Sequence, residues 1–137
     1  MKAILAGIII SLVNFGGVTS APAADPKDKV KVEILKTDLH QGMDPGLYVC
    51  AGSHLHIKGT VQNVTQKTLV SIKLEGKAYD AKGMLVGTAY PRKLKPLRLF
   101  PLKPNEKAEF DLEFRTITGA KIQMAEKQEI VVIEATH

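Results

Sequence analysis

The stretch from Leu69 to Ala89 constrains this chain more than any other. Over Leu69–Asp80, Val70, Ile72, Leu74 and Ala78 fall on one side of a two-residue repeat, and Ser71, Lys73, Glu75 and Lys77 on the other. Ala81-Lys82-Gly83 then separates this run from Met84–Ala89. Asp80 is suited to bonding the backbone of a tight turn, and Gly83 to the positive φ that closes a bulged hairpin. A hairpin with one apolar face has to be covered, so a second layer of strands is expected against it.

Similar alternation recurs along the chain. Val30–Leu35 reads as a strand, Leu47–Ala51 as a short one, and His54–Val61 as a longer one with Leu55, Ile57 and Val61 on one face and His54, His56, Lys58 and Thr60 on the other. Asn63 and Thr65 are placed to bond backbone in the turn that leads into the hairpin. Ala108, Phe110, Leu112 and Phe114 alternate with charged residues and point inward, which leaves Asp111 and Glu113 outward and solvated. A short strand near Lys121–Met124 and a closing strand over Gln128–Ala135 complete about seven, with no 3.6-residue repeat of helical length. The expectation is an antiparallel β-sandwich in one domain, residues 25–137.

Residues 1–24 stand apart from that domain. Met1-Lys2, an apolar run over Ala3–Val13 and the small residues Ala21-Pro22-Ala23-Ala24 have the layout of a secretory signal peptide, cleaved after Ala23 or Ala24. The run is about half the ~20 residues a spanning helix needs, so no transmembrane segment is expected in the mature chain. The expected compartment is the periplasm or the exterior. Loss of Lys2 leaves 18 basic against 14 acidic side chains, a net charge of +4 that is too small to imply nucleic acid.

Several residues repeat the pattern of a known family. Gly59-Thr60-Val61-Gln62-Asn63, Val70-Ser71-Ile72-Lys73-Leu74, Ala78-Tyr79-Asp80-Ala81-Lys82-Gly83 and Pro104-Asn105-Glu106 before Phe110 resemble the FxLYD domain, over roughly Leu55–Phe114. Tyr79 and Asp80 match the motif's Tyr and Asp, while Gly76 and Ala78 occupy its Phe and Leu positions. The resemblance implies an immunoglobulin-like sandwich of an exported bacterial protein, and it brings no catalytic residues.

Two features carry candidate function. Pro91–Pro104 holds four of the seven prolines and five basic residues, Arg92, Lys93, Lys95, Arg98 and Lys103, with no acid. Such a segment either protects a sheet edge or grips an envelope protein or another acidic surface. The leading expectation is therefore a non-catalytic interaction module with this segment as its contact surface. The alternative is a copper or zinc site, since His54 and His56 project from one side of a strand ~6–7 Å apart at the backbone. Cys50 could add a thiolate, and His40 or Met43 a further donor. Apart from that ion, no cofactor is expected. Cys50 is the one cysteine, so no internal disulfide can form. Leu47, Tyr48 and Val49 favour its burial, and a bridge to a second chain or a reactive thiol are the other courses. No nucleophile–base arrangement, phosphate loop or carboxylate pair in an apolar setting marks an enzyme.

Overall fold

The computed structural model describes residues 25–91 and 101–137. Seven antiparallel strands make up the fold: β1 (Val30–Ile34), β2 (Leu47–Val49), β3 (His54–Asn63), β4 (Ser71–Tyr79), β5 (Leu85–Pro91), β6 (Lys107–Thr118) and β7 (Lys127–Thr136). Two short helices accompany them, α1 (Pro26–Lys29) and α2 (Ala120–Met124). The segment expected as a strand near Lys121–Met124 is this second helix. Five residues are too few to display a helical repeat, and the positive φ of Gly119 turns the chain out of β6 just before it.

The Leu69–Ala89 hairpin forms as the alternation predicts. Asp80 Oδ1 accepts from the amides of Lys82 and Met84, each at 2.9 Å, and Gly83 takes φ +80°. Ile72, Leu74, Gly76 and Ala78 are buried. Val70 departs from the pattern: it is 51% exposed, and Leu69 is buried in its place. Leu69 pairs across to Leu102 in an isolated bridge just before β4 begins, so the in-and-out phase is set afresh at Ser71.

The strands do not separate into two facing sheets. They run β1-β3-β6-β5-β4-β7 in one continuous, nearly closed sheet, a barrel-like arrangement in place of the expected two-layer sandwich. β5 makes the continuity. Its residues from Leu85 to Ala89 pair with β4, and Tyr90 and Pro91 go on to pair with Glu113 and Leu112 of β6. At the remaining gap, α1 packs against β7, and Lys29 Nζ donates to the Ala135 carbonyl at 3.0 Å.

One core fills the interior. Ile57, Leu74, Leu112, Phe114 and Ile117 are almost wholly excluded from water, Ile72 and Phe110 join them, and Val132 packs alongside. Small residues let the wall curve tightly around these side chains. A Cβ at Gly59 would strike the Glu33 carbonyl oxygen and lie 2.5 Å from Phe110 Cζ. Asn63 is fully buried at the far end of β3 and ties the turn to Leu102 through its amide.

Candidate metal centre

The ten residues of β3 carry the site on the face away from the core. Its free edge is shared: β1 pairs with Gly59–Asn63 and β2 with Leu55–Ile57. Between them the chain loops out, leaving at the Lys58 carbonyl, which accepts from the Leu35 amide, and returning at Gly46, whose carbonyl accepts from Lys58. A tight turn, Cys50–Ser53, then joins β2 to β3. The Ser53 amide donates to the Cys50 carbonyl at 2.9 Å, the Cys50 amide to the His54 carbonyl at 3.1 Å, and Ser53 takes φ +60°. This turn folds the thiol of Cys50 back beside His54. On the other flank, β6 places Glu113 opposite His56 and Asp111 opposite Lys58.

Cys50 Sγ, a His54 ring nitrogen and a Glu113 carboxylate oxygen come together, all within 4.8 Å of one another. Cys50 Sγ lies 3.8 Å from His54 Nδ1, and Glu113 Oε1 lies 3.1 Å from that same nitrogen. Glu113 Oε2 is 3.8 Å from Arg115 Nε. Gly52 leaves the space beside the donors open, since a Cβ there would sit 3.3 Å from His54 Nδ1 and 3.7 Å from Cys50 Sγ.

A second group adjoins the first. Asp111 Oδ1 lies 2.7 Å from His56 Nδ1, and Tyr48 Oη donates to Asp111 Oδ2. The Tyr48 and His56 rings stack with centroids 4.6 Å apart, and Lys58 Nζ sits 5.2 Å from the centre of the Tyr48 ring. Burial, and then the bond to Asp111, push the Tyr48 phenol well above its ordinary pKa, so it stays a neutral donor. Cys50, His56 and Glu113 also line a groove of about 760 Å³, with Leu39, Lys58 and Asp111 beside them, which gives a small ion a way in.

The sequence-derived candidates are therefore distributed unevenly. Cys50 and His54 meet, as a shared ion requires, and the thiol is half-buried, not enclosed in the core. His56 turns its Nδ1 to Asp111, and its Nε2 is 4.0 Å from Glu113 Oε1. Met43 packs against the core, and His40 does not join the group. Glu113 and Asp111, read from alternation as solvated, lie instead against His54 and His56. Glu113 does face away from the core, yet only 3% of its side chain is exposed. Alternation reports which side a residue points to and is silent about a neighbouring hairpin laid over that side. Of the basic segment, Arg92, Lys93, Lys95 and Arg98 lie outside the described residues, and Lys103 is exposed.

The arrangement is poorly suited to nucleophilic catalysis. A base that relays a proton presents one ring nitrogen to its nucleophile and the other to its carboxylate. His54 turns the same Nδ1 to Cys50 and to Glu113. Three different donors that converge within 4.8 Å of one another can hold a cation. Among the described residues no helix is long and apolar enough to cross a membrane. No family model matches the chain, and no curated protein or solved structure matches it.

Proposed function

We propose that this chain is an exported zinc-binding domain that holds its ion through Cys50 Sγ, His54 Nδ1 and Glu113. The observation that carries this reading is the convergence of those three donors within 4.8 Å, beside a glycine that leaves room for an ion. The donor set favours zinc over copper. A thiolate, an imidazole and a carboxylate suit zinc at ~2.0–2.3 Å, whereas the soft cuprous ion prefers sulfur donors without a hard carboxylate. The leader-like first 24 residues support a role outside the cytoplasm. The competing account is a buried carboxylate balanced by His54 and Arg115, with no ion at all.

Titration of the purified mature chain against a competing zinc chelator separates the two accounts. One zinc per chain is expected, with affinity falling ~10–100-fold or more in Cys50→Ser, His54→Ala and Glu113→Gln. Gly52→Ala should weaken binding as well, because its methyl group enters the space beside Nδ1 and Sγ while the backbone there is unstrained. A cobalt complex should show thiolate-to-metal charge transfer that Cys50→Ser removes. Wild-type binding no tighter than that of the triple ligand variant refutes the proposal, and tighter binding of cuprous ion than of zinc refutes the choice of metal.

A further inference from the structure

We propose that His56 Nε2 is the fourth zinc ligand, and that Asp111 and Tyr48 are positioning residues that aim it; this rests on the zinc reading above. The strand supplies the first condition. His54 and His56 are two residues apart on β3 and share its outer face, and His56 is the direct cross-strand partner of Glu113. Both imidazoles therefore approach the same carboxylate, His54 at 3.1 Å and His56 at 4.0 Å from the single oxygen Oε1.

Hydrogen bonding supplies the second condition. His56 Nδ1 lies 2.7 Å from Asp111 Oδ1 and 3.1 Å from Tyr48 Oη; because Tyr48 gives its hydroxyl proton to Asp111 Oδ2, the carboxylate is the acceptor that favours a proton on Nδ1. A neutral imidazole with its proton on Nδ1 carries its lone pair on Nε2. That nitrogen is buried and has no hydrogen-bond partner among the described residues. Stacking on Tyr48, with planes 24° apart, fixes the plane of the ring. A buried acceptor left unpaired is unfavourable, and a cation beside Glu113 would satisfy it.

The distance to Glu113 is nearly closed already, whereas His56 is not among the donors that lie within 4.8 Å of one another, so its ring has to move in toward Cys50 and His54. Tetrahedral zinc with ligand bonds of ~2.0–2.1 Å places neighbouring nitrogen and oxygen donors ~3.3 Å apart. The 4.0 Å between Nε2 and Oε1 thus has to shorten by less than an ångström. Ligating histidines regularly give their other N–H to a carboxylate, which sets the tautomer and raises the basicity of the ligand. Asp111 already stands in that place, and Tyr48 braces it from behind.

The test compares wild type with His56→Ala, Asp111→Asn and Tyr48→Phe by chelator competition, by cobalt absorption and by nitrogen-15 NMR of the histidine rings. Zinc should move the His56 Nε2 signal of the wild type and leave its Nδ1 protonated. His56→Ala should weaken zinc binding and lower the intensity of the cobalt ligand-field bands, as water replaces a fourth protein donor. Asp111→Asn and Tyr48→Phe should each cost ~10–100-fold in affinity while one zinc per chain and the thiolate charge-transfer band remain. A purely structural role for Asp111 and Tyr48 would lower the unfolding midpoint without altering the cobalt spectrum. Wild type that binds zinc with an unmoved Nε2 signal, or variants with unchanged affinity and spectra, overturns the inference and leaves the three-ligand site standing. Absence of zinc binding by wild type overturns both. Where His56→Ala fails to fold, the wild-type Nε2 signal decides.

Discussion

Replacing Asn63 tests whether its buried amide, and not merely its volume, closes the turn after β3. The side chain is wholly buried and makes four hydrogen bonds: Nδ2 donates to the carbonyls of Lys67 (2.8 Å) and Leu102 (2.9 Å), and Oδ1 accepts from Thr65 N (2.9 Å) and Thr65 Oγ1 (2.7 Å). At roughly 1 kcal/mol each, the upper bound for Asn63→Ala is about 4 kcal/mol. Two of the partners have replacements at hand. The Leu102 carbonyl also accepts from the Leu69 amide, and the Lys67 carbonyl can accept the single Thr65 hydroxyl proton once Asn63 Oδ1 no longer takes it. Thr65 N lies in a half-buried residue and can be rehydrated. The expected cost is therefore about 1–2 kcal/mol. Asn63→Asp preserves the shape and the acceptor toward Thr65, but it aims a carboxylate oxygen at two carbonyl oxygens in a site closed to water. Burying that charge without a donor costs several kcal/mol, so this substitution should be the more damaging at pH 7. At pH 4 the gap should narrow, because a protonated carboxyl can donate to one of the two carbonyls. Urea unfolding at both pH values, with slopes checked for equality, measures this directly. Asn63 stands nine residues from His54 on β3, roughly 30 Å away, so the zinc affinity of the folded variants should be unaffected. Equal destabilisation by Ala and Asp at pH 7, or a gap that widens on acidification, would refute the reasoning.

Two further expectations concern the fold and the phenol beside the site. Gly59→Ala should cost at least about 3 kcal/mol, because its methyl meets the Glu33 carbonyl oxygen, which is backbone and cannot step aside; thermal or urea unfolding close to that of wild type would contradict the packing described. The Tyr48 phenol has its folded pKa raised above the ordinary 10.0, so its stabilising effect is complete below about pH 10 and is lost as pH climbs from there toward the folded value. Stability should therefore fall above pH 10, and Tyr48→Phe should flatten that fall; identical alkaline profiles for the two proteins would count against it.

Alternation was enough to locate most of the strands, because a chain with apolar residues at every second position can hide them only by extending. It also revealed the hairpin turn, where Asp80 and Gly83 act on their own neighbours, and the turn bonded by Asn63 and Thr65. Helix α2 escaped notice because five residues hold little more than one turn. The pairing of Cys50 with His54 was legible as a four-residue separation, whereas Glu113, 59 positions beyond His54, gave no local sign that it would join them.

What the sequence determined by itself is which residues face inward and where the chain reverses, since both depend on contacts with near neighbours. The tertiary structure decided what each face meets. β5 passes from β4 to β6 and so makes one nearly closed wall out of what could have been two layers. The same closure sets β6 against β3, and the Cys50–Ser53 turn then folds over an outward carboxylate. Those outcomes depend on how strands distant in sequence are arranged around one core, and a two-residue repeat carries no information about that.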